Sequence, residues 1–116
     1  MRLKLIVALV GDEKIDVVVD TARAEGATGD TVITSVRGAG LKPEKTFLGL
    51  DLAPKRNVAL FLVVETRARE ILERIRDAAR LDSEPGSGIA FQVPIEDAVG
   101  LNTQLPTILE ELESEI

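Results

Sequence analysis

The sequence predicts an α+β domain in which a four-stranded antiparallel sheet carries two helices on one face. Three observations lead to this fold class. The 116 residues suit one domain. Apolar segments of strand length alternate with segments of helical periodicity. The order strand–helix–strand also occurs twice, as two similar halves. We therefore expect residues 1–116 to form a single domain.

The first half begins with a buried strand. Residues 3–10 are apolar apart from Lys4, a pattern typical of a strand covered on both faces. Asp12 is the predicted N-cap of the first helix, and Gly26 follows its end. Residues 28–30 predict a turn, and the β-branched segment 31–36 predicts the second strand. The apolar face of the helix is formed by Ile15, Val18, Val19 and Ala22.

The second half follows a long connection, residues 38–55, that has no periodicity. A connection of this length is usually functional, and it is either a β-hairpin extension or a partner-binding loop. Residues 58–64 predict a strand, and Thr66 is the predicted cap of a helix with Ala68, Ile71, Leu72, Ile75 and Ala79 on one face. A glycine-rich turn at 85–88 leads into a strand at 89–93. The tail, residues 103–116, predicts an amphipathic helix.

Strands and helices in this order form the split βαβ, or ferredoxin-like, βαββαβ sandwich. Its two helices cover one face of the sheet. The first and third strands are nevertheless apolar on both faces, so a second copy of the chain should cover the other face. We expect a compact homo-oligomer, most simply a homotrimer with its sheets facing inward.

Composition excludes several classes of function. The chain has no cysteine and no histidine, which removes disulfides, thiol and imidazole chemistry, and zinc sites of the usual ligand type. A net charge of −6 argues against nucleic acid as a main partner. No apolar run is long enough to span a membrane, and the apolar beginning is interpreted as a first strand in a cytoplasmic protein.

Catalysis is not predicted either. No nucleophile lies beside a base. Glu96 and Asp97 are adjacent in an extended segment, so their side chains point to opposite faces. We expect no enzymatic activity, no metal site and no obligatory cofactor.

Four segments carry a resemblance to a known family: 26–32, 36–40, 86–93 and 95–99. In this order and at these separations, they make the chain resemble the P-II nitrogen-regulatory signalling family from residue 1 to about residue 102. The resemblance implies a homotrimer with an adenine nucleotide in each cleft between subunits. It also implies that the loop at 38–55, the T-loop of that family, regulates a target protein such as a membrane transporter.

The resemblance also implies site residues. The nucleobase would lie near Leu9, Gly29, Asp30, Thr31 and Val63. The phosphate end would lie near Gly38, Gly40, Gly86, Ser87 and Gly88. The loop would contact its partner through Lys42, Lys45, Phe47, Leu48 and Leu50.

Several positions depart from the family pattern. Ile89 stands where P-II proteins have a phosphate-binding lysine, and Gly100 and Asn102 stand where they have arginines. Each lost charge-assisted hydrogen bond costs about 1.5–3 kcal/mol, and about 1.4 kcal/mol is one decade of affinity. Backbone amides at 86–88 would then cradle one phosphate, which favours AMP, ADP or a cyclic nucleotide over ATP.

Other interpretations stay open. The loop has no tyrosine, so the uridylylation known for some members has no acceptor. Its basic residues, including Lys55 and Arg56, are most simply solvated surface charges. The main alternative is a trimeric interaction protein without a ligand, which binds its partner constitutively through Phe47, Leu48 and Leu50. A trimeric metal-tolerance protein of similar fold is disfavoured because cysteine and histidine are absent.

Overall fold

The computed structural model describes residues 2–36, 46–51 and 56–100, and for residues 28–31, 34–36, 46–47 and 51 it describes the backbone alone. Within these residues, a four-stranded sheet carries two helices on one face, which confirms the predicted fold class. None of the described helices is long and apolar enough to cross a membrane. The elements are β1 (Leu3–Gly11), α1 (Asp12–Ala24), β2 (Thr28–Val36), β3 (Thr46–Phe47), β4 (Leu50–Asp51), β5 (Arg56–Val64), α2 (Glu65–Ala79) and β6 (Gly88–Pro94).

The sheet has the order β2-β5-β1-β6 and is antiparallel throughout. The central strand β1 pairs along its whole length with β5, from Leu3 opposite Val64 to Gly11 opposite Arg56. On its other side it pairs with β6. The pairing of β2 with β5 shifts register between Thr28 and Thr31. The predicted turn at 28–30 is therefore wrong: these residues belong to a strand with a bulge-like irregularity.

The hydrophobic core lies between the sheet and the two helices. Its strand residues alternate along β1 and β5, as the period of two requires, and aliphatic side chains from both helices close it. Phe61 is the largest of its fully buried members. The core cluster consists of Ile6, Ala8, Val10, Val18, Ala22, Ala27, Ala59, Phe61, Val63, Ala68, Ile71, Ile75 and Ala79.

The opposite face of the sheet is also apolar. Residues out of phase with the core lie on this face, and most of them are half-buried. The residues of this apolar face on the three strands β1, β5 and β6 are Leu5, Val7, Leu9, Val58, Leu60, Leu62, Ile89, Phe91 and Val93. The second apolar face predicted from the sequence is thus present.

Both helices begin directly where a strand ends. The N-cap residues are Gly11 and Val64, and neither makes a side-chain capping hydrogen bond. The predicted caps Asp12 and Thr66 are wrong, because both residues already lie inside the helices. Residues at the two helix starts instead make contacts with distant parts of the chain. For example, the amide of Glu65 donates to the carbonyl of residue 2 over 2.9 Å.

The connection between β2 and β5 contains a short hairpin, β3–β4. Its two central residues, Leu48 and Gly49, have φ values of 50° and 81°, the combination found in a type I′ turn. Leu48 is 72 % exposed at the tip, whereas Leu50 is 5 % exposed. The predicted residues Gly38, Gly40, Lys42 and Lys45 and the tail helix at 103–116 lie outside the described residues.

Candidate functional site

The structure shows that the glycine-rich turn is part of a longer turn segment, residues 80–88, which begins where α2 ends. Arg80 terminates the helix in the left-handed conformation, with φ of 56°. The amide of Glu84 then donates to the carbonyl of Arg80 over 3.0 Å, and the amide of Ser87 donates to the carbonyl of Glu84 over 3.1 Å. Gly86, between them, has φ of 77°. The turn is therefore held by its own backbone.

Ser87 is directed into the turn rather than away from it. It is buried, and its hydroxyl donates to the carbonyl of Arg80 over 3.2 Å, with the carbonyl of Leu81 at 3.4 Å. The carbonyl of Arg80 belongs to the C-cap of α2, where acceptors lack partners within the helix. Both the hydroxyl and the amide of Ser87 are thus used within the protein.

Gly88 marks a close approach between β6 and β1. It lies opposite Val10 and has φ of 149°. A Cβ atom at this position would lie 2.6 Å from the carbonyl oxygen of Leu9 and 2.7 Å from Cγ1 of Val10. A Cβ at Gly86 would meet nothing within 4 Å. Gly88 is therefore required by contact, whereas Gly86 is required by backbone conformation alone.

Three charged side chains meet at this turn. Lys14 Nζ, from the first turns of α1, lies 2.9 Å from Glu84 Oε2. Arg80 Nη1 lies 3.5 Å from Glu84 Oε1. The hydrogen bond from Lys14 is the main cause that lowers the pKa of the Glu84 carboxyl. Within the described residues, no group of three or more acidic side chains is arranged to hold a metal ion.

Arg56 is a buried, positively charged residue at the end of the sheet where the glycine-rich turn enters β6. It is the first residue of β5, it is 5 % exposed, and it pairs with Gly11 on one side and Val36 on the other. The prediction of a solvated surface charge is wrong for this residue. It is in phase with Val58 on β5, so it lies on the apolar face of the sheet. It also directly follows residues 37–55, which connect β2 to β5.

A cavity of about 310 Å³ lies between α2 and β6, beside Gly88. Its apolar lining includes Leu72, Leu81 and Ala90. Its charged side chains are paired with one another, as in the 2.7 Å contact between Arg69 Nε and Glu73 Oε1. The lining residues are Arg69, Leu72, Glu73, Arg76, Leu81, Asp82, Gly88, Ile89 and Ala90.

A family model of the nitrogen regulatory protein P-II matches residues 3–104. The chain belongs to the P-II family. P-II proteins are signal-transduction regulators, typically trimeric, that act on target proteins. The matched residues span the whole sheet, both helices and the glycine-rich turn. A comparison with curated proteins finds no significant match.

In this P-II protein, the described residues predicted to bind the nucleotide, apart from Val63, fall into two groups. Gly86–Gly88 and Leu9 lie together, because Gly88 and Ile89 of β6 pair with Val10 and Leu9 of β1. Residues 29–31 lie on β2, at the opposite edge of the sheet. Three strand spacings separate these edges, about 14 Å at the usual spacing between neighbouring strands. One protomer does not bring the two groups together.

Val63 lies apart from both groups. It is fully buried in the core on the helix-covered face. On β5 it lies five residues beyond Val58, the partner of Leu9, and Leu9 belongs to the opposite face. A nucleobase beside Leu9 would therefore not reach Val63 of the same protomer.

No role was predicted for Lys14 or Glu84, and Arg56 was predicted to be a surface charge. The period of two along β5 places Arg56 on the same face as Val58, but this phase alone does not predict its burial. Lys14 and Glu84 are 70 residues apart, and no local pattern indicates that they pair.

Proposed function

We propose that this P-II protein is a cytoplasmic homotrimer that binds an adenine nucleotide between subunits and transmits its occupancy through residues 38–55. The observation that carries the proposal is the separation of the predicted site residues. Residues 29–31 lie at one edge of the sheet and Gly86–Gly88 at the other. A ligand that contacts both groups must lie between the β2 edge of one copy and the β6 edge of the next.

The apolar face of the sheet supports the trimer. Its side chains extend over three neighbouring strands and have no helix above them within the described residues. Burying apolar surface contributes about 25 cal/mol per Å², so association of this face with its copies is favourable. The same packing would bring neighbouring sheet edges close together.

The few cations at the turn support a ligand with few phosphates. Among the described cations there, Lys14 and Arg80 already contact Glu84, and Arg76 is paired with Asp77 and Asp82. Arg56 adds a buried charge at the same end of the sheet. This arrangement fits one or two phosphates, so we favour AMP, ADP or a cyclic nucleotide over ATP.

The tip of the β3–β4 hairpin is the proposed contact with the regulated protein, for which a membrane transporter is our first candidate. Leu48 combines a left-handed backbone with 72 % exposure. A non-glycine residue in the left-handed conformation is strained, and such residues cluster at functional sites. Leu50 is buried, so we assign it to anchoring the hairpin. Phe47, Lys42 and Lys45 stay predicted contacts.

The nucleotide part of the proposal is tested by isothermal titration calorimetry with AMP, ADP, cyclic AMP and ATP. We expect one site per chain and tighter binding of the ligands with fewer phosphates. Arg56→Gln should weaken binding, whereas the matched change Arg74→Gln on the exposed side of α2 should leave it unchanged. Light scattering should give three chain masses. Absence of heat with all four nucleotides would exclude the nucleotide site.

A second candidate function is a trimeric interaction protein that binds its partner without a ligand. The observation that favours it is Ser87, whose amide and hydroxyl are both bonded within the turn. A turn that is already satisfied needs no anion to order it. Sedimentation with native membranes distinguishes the two functions. Binding that nucleotide changes, and that Leu48→Asp abolishes, supports the sensor, whereas binding indifferent to nucleotide supports the constitutive partner.

A further inference from the structure

The ion-paired cluster at the glycine-rich turn links three separate parts of the chain. Lys14 comes from α1, Arg80 ends α2, and Glu84 belongs to the turn itself. The side chain of Lys14 is only 16 % exposed, whereas that of Glu84 is 44 % exposed. The ammonium group is thus held in place against the protein, and the carboxylate covers it from the solvent side.

This cluster is part of the same turn as the candidate anion site. The carbonyl of Glu84 accepts the amide of Ser87 over 3.1 Å, so Glu84 is directly joined to the Gly86–Gly88 segment. Gly88 pairs with Val10, and α1 begins two residues after Val10. The cation of Lys14 therefore stands at the point where β1, α1 and the turn meet.

We propose that Glu84 is an internal competitor of the anionic ligand: its carboxylate occupies the cations that a phosphate group takes in the bound state. A phosphate carries more charge than a carboxylate and has three strong acceptor oxygens, so it can replace Glu84 beside Lys14 and Arg80. Glu84 is half-exposed, and its side chain can rotate into solvent without a change of backbone. This inference rests on the proposed nucleotide site.

The exchange has two consequences. Affinity is reduced because each binding event must break the Lys14–Glu84 pair, and the site therefore discriminates against weakly charged anions. Binding also detaches the turn from α1, since the Lys14–Glu84 contact of 2.9 Å joins these elements. Binding of the anion therefore changes contacts at the start of α1 as well as at the turn.

The test compares AMP with adenosine, its neutral analogue, on the protein comprising residues 1–116. Glu84→Gln removes the competing charge and should tighten AMP binding about three- to tenfold, while adenosine binding stays unchanged. Lys14→Met should weaken AMP binding by a similar factor. In the double variant, the gain from Glu84→Gln should shrink. Glu70→Gln is the matched control, because Glu70 is an exposed carboxylate of α2 that pairs with Arg74 at 3.8 Å.

Each outcome decides between the inference and the function on which it rests. If the wild type binds AMP and Glu84→Gln binds it equally or more weakly, the competitor role is wrong and the nucleotide site stands. If neither protein binds AMP, ADP, cyclic AMP or ATP, both the competitor role and the nucleotide site are wrong. Binding by Glu84→Gln alone supports the competitor role and shows that the wild-type site is closed to AMP. Should Lys14→Met fail to fold, Lys14→Arg, which keeps the charge, should retain most of the AMP affinity.

Discussion

The two glycines of the turn provide a sharp test of the structure, because they are two residues apart and are required for different reasons. At Gly86, alanine meets no atom within 4 Å, and only the positive φ of 77° opposes it. Placing alanine in such a backbone conformation costs about 1–2 kcal/mol. We therefore expect Gly86→Ala to fold with a modest loss of stability.

At Gly88, alanine is opposed by an unfavourable φ of 149° and also by a collision of its Cβ atom with the neighbouring strand. The new Cβ would lie 2.6 Å from the carbonyl oxygen of Leu9 and 2.7 Å from Cγ1 of Val10. Overpacking of this kind adds about 1–3 kcal/mol to the conformational cost. Because typical domains are stable by only about 5–15 kcal/mol, Gly88→Ala should lose a large share of the total.

Urea denaturation at a fixed protomer concentration measures the difference between the two variants. The concentration must be fixed because association contributes to apparent stability. We expect Gly88→Ala to be less stable than Gly86→Ala by about 1–3 kcal/mol. Equal losses in the two variants would show that β6 does not approach β1 as closely as described, and the reasoning would be refuted.

Three further predictions concern other parts of the fold. Asn57 is 2 % exposed and donates to Asp12 Oδ1 over 2.7 Å, so Asn57→Ala should lower the free energy of unfolding in urea by about 1–3 kcal/mol. Leu48→Asn, which suits the left-handed backbone, should increase protection of the hairpin amides from hydrogen exchange about fivefold, for a gain of about 1 kcal/mol. The Glu84 carboxyl, with its lowered pKa, contributes stability above its ordinary pKa and loses it as pH falls through the lowered value; Lys14→Met should raise this pKa in a carbon-13 NMR titration.

The fold class could be predicted because its signals are local. Apolar runs of strand length and helical periodicity can be recognised in a single sequence. The order of these elements along the chain is compatible with only a few sheet topologies. The helix caps could not be predicted in the same way. Asp12 has the residue type and position of an N-cap, but its carboxylate accepts a hydrogen bond from Asn57, which is 45 residues away. A contact with a distant strand has replaced the local one.

The candidate site was predicted in part for the same reason. The glycine-rich turn is a local signal, and the structure places it at the start of β6 as expected. The charges around it come from other elements. Arg56 was interpreted as a solvated cation because charge usually stays at the surface, yet the strand carries it into the buried end of the sheet. Residue type predicted its exposure wrongly, because β5 is paired on both sides at this position, with Gly11 of β1 and Val36 of β2.

The direct passage from strand to helix at two places determines where this chain can change in length. At Gly11–Asp12 and at Val64–Glu65, no residue separates the two elements. One inserted residue would rotate the following helix by about 100° or move every strand side chain to the other face, and either change takes the apolar stripe away from the core. Insertions and deletions should therefore be accepted only where helices return to strands, or between β2 and β5. Relatives of different length should differ in the segments that lead from a helix to the next strand. The number of residues from each strand to the helix that follows it should be the same in all of them.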